Sequence, residues 1–136
     1  MEQIYSKVDP GVLCHQVIRL EDIQDRHNVS EDHQFLQLAT LRMPAGHTFR
    51  AHQHRWRPTP VTEIIAQESW VVIQGRVQVM FYDTDGSLLQ TTVLNAGDAS
   101  MTFQGGHNYL ILKDDTVVYE YKTGPYQGQQ LDKVFL

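Results

Sequence analysis

The chain has 136 residues, of which 41% are hydrophobic, and a formal net charge of −5. This length can bury a core without disulfides, and the hydrophobic content argues against disorder. The acidic balance argues against general nucleic-acid binding, which needs a concentrated basic face. The single cysteine, Cys14, cannot form a disulfide within the chain and fits a reducing compartment such as the cytoplasm. Residues 1–7 are too polar for a signal peptide, and no apolar run is long enough to cross a bilayer, so we expect no membrane association.

The first quarter of the chain shows little regular pattern. We predict an irregular lead-in followed by a strand over residues 13–20. Residues 21–32 are crowded with charges and have neither a helical nor a strand period, which indicates a loop with a helical turn.

From residue 34 onward, short apolar runs alternate with turn residues, the pattern of successive β-strands. Glycine, proline, asparagine and aspartate separate the runs, as at Asp83-Thr84-Asp85-Gly86. The predicted strands cover residues 35–43, 47–54, 68–74, 76–82, 87–94, 99–103, 107–112 and 116–122. The tail over residues 126–136 is predicted either to add an edge strand or to cross to a partner.

Eight or more short strands with almost no helix predict an all-β sandwich or barrel. The length fits a single eight-stranded jelly roll. An immunoglobulin-like sandwich is disfavoured because the Cys…Trp…Cys spacing is missing. We therefore predict one domain over residues 1–136, with a lead-in over 1–33, a jelly-roll barrel over about 34–124 and a tail over 125–136.

Strand periodicity places two of the seven histidines together. Side chains alternate between the faces of a strand, so His52 and His54 share one face, whereas His47 and Phe49 share the other. Two imidazoles spaced in this way can lean onto one metal ion. His15, His27, His33 and His47 are interpreted as ordinary loop or surface histidines.

Further metal ligands would have to come from other strands. Glu68 begins an apolar strand, and His107 begins a later strand directly after two glycines. Two imidazoles and a carboxylate form the set typical of non-haem iron. A third imidazole gives a set that also accepts manganese, nickel, cobalt, copper or zinc, and the sequence does not choose among them. A surface role for the His-x-His pair, without metal, is the alternative.

The spacing of these residues resembles the motifs of the cupin superfamily. In the first cupin motif, a glycine precedes His-x-His by five intervening residues, and a glutamate precedes another glycine by six. The matching residues here are Gly46, His52, His54, Glu68 and Gly75. The second motif runs from a Gly-Asp turn to a histidine, and its counterparts are Gly97-Asp98 and Gly105-Gly106-His107.

This resemblance covers roughly residues 34–124 and implies a cupin double-stranded β-helix with His52, His54, Glu68 and His107 pointing inward onto one divalent metal (Fe, Mn, Ni or Zn). The segment over residues 67–75 and the Gly105–Tyr126 region are also similar to a subgroup of small single-domain cupins.

Several residues depart from the cupin pattern. Thirteen residues, 55–67, separate His54 from Glu68, where cupins usually have three or four. This stretch would form an enlarged loop near the barrel mouth, and it contains a second carboxylate, Glu63. We assign Glu68 as the ligand because it alone keeps the six-residue gap to Gly75. Phe103 replaces the usual proline, and Ile111 the common asparagine.

A few other residues are candidates for chemistry. Tyr109 shares the face of His107 and is a candidate proton donor or acceptor, with simple packing as the alternative. Glu63 is a second candidate acid or base. Arg55 and Arg57 in the long loop would either bind a carboxylate or phosphate, or be solvated charges.

Two functions from different classes follow. The first is a metal-dependent enzyme, an isomerase or a dioxygenase, acting on a small oxygen-rich molecule such as a sugar or keto acid. The second is a non-catalytic module that binds a similar molecule, with a structural or anchoring metal. The apolar tail residues Val134, Phe135 and Leu136 need cover, which suggests a homodimer.

Overall fold

A computed structural model describes residues 1–6, 10–17, 19–59 and 63–136. Within these ranges the chain is built almost entirely of β-strands. In chain order the strands are β1 (Glu2–Tyr5), β2 (Leu13–Val17), β3 (His27–Asn28), β4 (Leu36–Met43), β5 (His52–His54), β6 (Trp56–Pro58), β7 (Glu63–Ile65), β8 (Glu68–Gln74), β9 (Arg76–Tyr82), β10 (Leu88–Asn95), β11 (Ala99–Thr102), β12 (Gly106–Ile111), β13 (Thr116–Thr123) and β14 (Lys133–Phe135).

Two antiparallel five-stranded sheets contain ten of these strands. The first sheet has the order β10-β9-β12-β5-β14, and the second has the order β11-β8-β13-β4-β3. Some strands that are consecutive in sequence, such as β8 and β9, lie in different sheets, whereas β9 and β10 are neighbours in one sheet. The remaining strands form two small hairpins, β1 with β2 and β6 with β7. The all-β jelly-roll prediction is confirmed.

The hydrophobic core lies between the two sheets. Val79 and Ile111 face it from the first sheet, and Leu41, Trp70 and Val72 face it from the second. All five are at most 2% exposed. Each buried aliphatic side chain of this size stabilises the fold by roughly 1.5–3 kcal/mol.

The turn between β8 and β9 depends on Gly75. Its φ is +88°, a conformation that residues with a side chain rarely adopt. A Cβ atom at this position would lie 2.7 Å from the Cα of Thr116. The chain can therefore pass from one sheet to the other at this point only with a glycine.

The strand predicted over residues 47–54 is broken. Only His52–His54 form a strand, and Thr48 makes an isolated bridge to Leu110. Because the chain leaves regular strand geometry in between, Phe49 packs against the core even though it is three residues from His52. Strand periodicity places Phe49 on the face opposite His52, but the break in the strand lets it pack against the core.

Segments that the sequence predicts to be irregular contain more secondary structure than expected. Residues 2–5 pair with β2 rather than forming an irregular lead-in. The predicted helical turn appears as a 3-10 turn, Leu20–Asp22. The enlarged loop contains the β6–β7 hairpin.

The tail adds an edge strand to its own chain. A short helix, α1 (Gln129–Asp132), leads into β14, which pairs with β5. None of the described helices is long and apolar enough to span a membrane.

Candidate metal centre

Strand pairing brings three histidines together. His52 and His54 point the same way from β5, with ring centroids 5.5 Å apart. β12 pairs with β5 so that His107 lies opposite His52, and the centroids of these two rings are 4.9 Å apart. The predicted shared face of His52 and His54 is therefore observed, and the neighbouring strand supplies the third imidazole.

The carboxylate comes from the opposite sheet. Glu68, the first residue of β8, is 4% exposed. Its Oε2 lies 3.1 Å from Nε2 of His54, and its Oε1 lies 3.4 Å from Nε2 of His107. One donor atom from each of the four residues lies within 4.8 Å of the others. The two sheets thus meet at a cluster of three imidazoles and one carboxylate.

Each histidine has its other ring nitrogen, Nδ1, close to a polar group behind the ring. These pairs are His52 with the carbonyl oxygen of Arg50 at 3.0 Å, His54 with Oδ2 of Asp132 at 3.2 Å, and His107 with Oγ1 of Thr102 at 2.8 Å. Oxygen atoms at Nδ1 favour the tautomer that carries its proton there, and this leaves the Nε2 lone pair available for a metal.

Two buried nitrogens of the cluster, Nε2 of His107 and Nδ1 of His54, have no partner in hydrogen-bond geometry among the described residues, and the first of them is the one that a metal would bind. Nε2 of His107 belongs to a fully buried side chain, and its contact with Glu68 lacks hydrogen-bond geometry. A buried polar atom left without a partner destabilises a protein by about 1–3 kcal/mol. A metal ion would remove this deficit. Three imidazoles with one carboxylate are a donor set that accepts Fe, Mn, Ni or Zn, so the residues fit one divalent transition metal.

The electrostatic surroundings favour the protonation states that a metal requires. Burial would raise the pKa of Glu68, but His107 and His54 outweigh it and lower the pKa far below its usual range. Burial, reinforced by the charge of Lys133, lowers the pKa of His52 to about 4. Burial also lowers the pKa of His107. An ionised carboxylate and neutral imidazoles are the forms that coordinate metals.

His54 differs because a second carboxylate contacts it. Burial would lower its pKa, but the contacts with Asp132 and Glu68 prevail and raise it. Asp132 is itself 2% exposed and also pairs with Lys122, whose Nζ lies 3.2 Å from Oδ2. Burial opposes ionisation of Asp132, yet His54 and Lys122 lower its pKa to about 2.

The sequence analysis missed three residues around the cluster: Thr102, Asp132 and Lys133. Lys133 follows Asp132 and brings its Nζ within 3.4 Å of Nε2 of His52. The tail carried a usable signal, since Asp132-Lys133 places two charges between apolar residues. The helix α1 has only four residues, which is too short for sequence periodicity to show where the side chains of Asp132 and Lys133 are directed.

A cavity of about 360 Å³ opens beside the cluster. His52 and Glu68 are among its lining residues, and aromatic side chains form part of the wall. Trp70 and Tyr109 are stacked there, with ring centroids 3.6 Å apart and an interplanar angle of 3°. The cavity has the size of a small-molecule site.

Tyr109 shares the buried face of His107, as predicted from strand periodicity. Its hydroxyl lies 3.5 Å from Nδ1 of His107, behind the ring, and burial raises its pKa well above the ordinary value. At neutral pH the phenol is therefore protonated. The side chain of Glu63 lies outside the described part of the structure, so its predicted role stays a prediction.

The other histidines and the two arginines of the long loop lie away from the cluster and the cavity. His15, His27, His33 and His47 are exposed, as expected. Arg57 is not a solvated loop charge: it is 7% exposed, and its Nη1 donates to the carbonyl of Pro125 at 2.8 Å. Arg55 donates to the carbonyl of Gln130 in the same way. Neither arginine lines the cavity.

Comparison with known proteins found matches only among solved structures. No protein family and no curated protein matches the chain. KdgF from a Halomonas species is 19% identical, with 90% of this chain and 87% of that chain covered and a TM-score of 0.56. A Klebsiella pneumoniae protein with a double-stranded β-helix domain is 14% identical, with 84% and 94% covered and a TM-score of 0.62.

A cupin-2 domain protein from Shewanella frigidimarina is 18% identical, with 79% of this chain and 95% of that chain covered and a TM-score of 0.53. At these identities the likeness concerns the fold. The chain has the double-stranded β-helix fold of the cupins, and the resemblance seen in its sequence is confirmed at that level. Its clustered histidines and glutamate give this fold a donor set suited to a metal.

Proposed function

We propose that this cupin holds one divalent transition metal through His52, His54, Glu68 and His107, and binds a small oxygen-rich molecule beside it. A sugar, a keto acid or a similar chelating compound would fit this description. The observation that carries the proposal is the convergence of four donor atoms, all within 4.8 Å of one another, beside a cavity that His52 and Glu68 line. Burying three imidazoles and a carboxylate together costs free energy unless these groups are hydrogen-bonded, paired or bound to a metal.

The chain's own residues would divide the work as follows. The three Nε2 atoms and the carboxylate of Glu68 hold the ion, and Asp132 and Thr102 keep their histidines turned toward it. The stacked rings of Trp70 and Tyr109 exclude water from one wall. When bound, the metal would supply Lewis acidity toward a chelating oxygen or, as iron, oxidation by dioxygen. Tyr109 or Glu63 is the proposed acid or base.

We favour an enzyme, an isomerase or a dioxygenase, over a binding module because the cavity leaves room next to the donor cluster. The two functions differ in one measurable respect. After iron or manganese is restored to metal-depleted protein, an enzyme regains turnover with a panel of hydroxy-ketones, catechols, keto acids and sugars. A binding module shows affinity for a compound of the panel without converting it.

Elemental analysis tests the metal site itself. We expect a single equivalent of a transition metal per chain in purified protein. The double variant His52→Ala/His54→Ala should lose most of it, with an unchanged circular dichroism spectrum. The matched control is His33→Ala/His47→Ala, which removes two exposed histidines and should keep the metal. Equal metal content in the two double variants would refute the ligand assignment.

We also propose a homodimer in a reducing compartment such as the cytoplasm. β14 is an edge strand, and Val134, Phe135 and Leu136 are still 36–42% exposed after pairing with β5. An apolar edge of this kind favours pairing with a second copy. Sedimentation analysis tests the oligomeric state, and a monomer at micromolar concentration would contradict the dimer.

A further inference from the structure

The cavity beside the donor cluster contains three basic side chains, and two of them are neutralised. Arg26 pairs with Glu120, with Nη2 2.7 Å from Oε1. Lys122 pairs with Asp132. A cation whose charge is already balanced contributes little net attraction for an incoming ligand.

Lys133 is the third basic residue and differs from the other two. Its Nζ lies 3.4 Å from Nε2 of His52, and among the described residues no carboxylate lies within ion-pair distance of it. The side chain is partly buried and lines the cavity. The ammonium group therefore stands beside the nitrogen that would bind the metal, without a countercharge of its own.

The charge balance of the cavity points in the same direction. Six charged side chains line it, three basic and three acidic: Arg26, Lys122, Lys133, Asp32, Glu68 and Glu120. The charges of the lining residues cancel, so a bound divalent ion would give the site a net charge of about +2. If Asp132, which does not line the cavity, is included, the net charge is still positive. Two like charges close together in a partly buried site repel strongly.

We propose that the ligand of this site is an anion, a 2-oxo or 2-hydroxy carboxylate, whose carboxylate group pairs with the ammonium group of Lys133. The inference rests on the proposed function, because the excess charge depends on a metal at the cluster. A carboxylate with an oxygen on the next carbon is a bidentate chelator, and a carboxylate also accepts charge-assisted hydrogen bonds from lysine. Such an anion relieves the repulsion between Lys133 and the ion, which a neutral sugar cannot do.

Two probes of nearly the same shape separate charge from chelation. Pyruvate is a 2-oxo carboxylate, and pyruvamide keeps the carbonyl but replaces the carboxylate with a neutral amide. Calorimetric titration of the manganese-loaded protein should give an affinity for pyruvate at least about tenfold higher than for pyruvamide. Equal affinities, or no binding of pyruvate, would overturn the proposal.

The variant Lys133→Met removes the charge and keeps the length of the side chain. It should weaken pyruvate binding at least about tenfold, leave pyruvamide binding unchanged and keep the full manganese content. Lys133→Arg should retain the preference for pyruvate. The matched control is Lys113→Met, which removes an exposed lysine outside the cavity lining and should behave as the original chain. Unchanged pyruvate affinity in Lys133→Met would overturn the role of Lys133.

Manganese content separates this inference from the proposed function. If the original chain takes up no manganese, iron, nickel or zinc, the metal site fails, and this inference fails with it. If the chain binds metal but shows no preference for pyruvate over pyruvamide, the metal site stands and only the anionic ligand is rejected. The comparison of the two probes needs no variant, so a folding defect in Lys133→Met does not weaken the test.

Discussion

His54 and Asp132 form a buried contact, with Nδ1 of the histidine 3.2 Å from Oδ2 of the carboxylate. The two residues are 78 positions apart, on β5 and at the end of α1. The contact leaves Nε2 of His54 facing Glu68, 3.1 Å away. The C-terminal segment therefore contributes a side chain that contacts the proposed metal centre.

Replacing Asp132 by asparagine removes the charge behind His54 while keeping the shape of the side chain. We expect the metal affinity to fall about tenfold, because carboxylates behind ligating histidines typically contribute this much or more. Competition with a coloured chelator measures the affinity. The control is Asp25→Asn at an exposed position. Equal affinities in the two variants would show that Asp132 has no influence on the metal.

The stability of the metal-free protein should decrease on acidification below pH 6.5. Burial lowers the pKa of His52 to about 4 and also lowers that of His107, so the unfolded chain binds protons that the folded protein cannot. The loss begins near the ordinary histidine pKa of 6.5 and continues to about pH 4. His54, with its raised pKa, acts in the opposite direction, since it stabilises the fold most below pH 6.5.

Urea unfolding in the presence of a chelator measures this dependence. His52→Gln should flatten the decrease between pH 6.5 and 4, because glutamine does not titrate. The control His47→Gln, at an exposed position, should keep it. A variant His52→Gln with the same pH profile as the original chain would contradict the assignment.

Gly75→Ala should destabilise the fold by ~3 kcal/mol or more, because strain at positive φ adds to overlap with a fixed backbone. The added Cβ would lie 2.7 Å from Cα of Thr116. Gly97→Ala is the matched control: its φ is +92°, but no atom lies within 4 Å of the added Cβ. It should lose only ~1–2 kcal/mol. Chemical denaturation of both variants gives the comparison, and similar losses would mean that the contact with Thr116 is unimportant.

Tyr109→Phe tests the proposed proton donor. With the compound that the substrate panel identifies, kcat should fall about a hundredfold, the usual range for loss of a general acid. Metal content should stay the same, since the tyrosine is not a ligand. The control is Tyr119→Phe, which removes a hydroxyl from strand β13 at a position that does not line the cavity. An unchanged kcat in Tyr109→Phe would show that the hydroxyl takes no part in catalysis and that the residue only stacks on Trp70.

The strands near the site were predictable because their patterns are strong. β8 and β9 have the predicted bounds, since their apolar runs are followed by the turn residues Gly75 and Asp83. The shared face of His52 and His54 also follows from the period of two. Periodicity says nothing about where a strand is interrupted, and so the break that turns Phe49 inward was not predicted.

The residues supporting the histidines were harder to predict. Thr102 is only five residues before His107, but the two lie on strands of different sheets, and the sequence does not show that these strands face each other. Asp132 reaches the cluster because the following strand, β14, pairs with the distant strand β5. The sequence of the tail predicts only an edge strand or a crossing to a partner, because its apolar residues Val134, Phe135 and Leu136 need cover. Nothing local in the sequence indicates that Asp132 is directed at His54, or Lys133 at His52.

X-ray diffraction from crystals of the manganese-loaded protein, with the anomalous signal recorded, shows whether these four residues bind one metal ion. We expect a single anomalous peak about 2.1–2.3 Å from Nε2 of His52, His54 and His107 and from one carboxylate oxygen of Glu68. A peak elsewhere on the chain, or a cluster without a peak at saturating manganese, would contradict it.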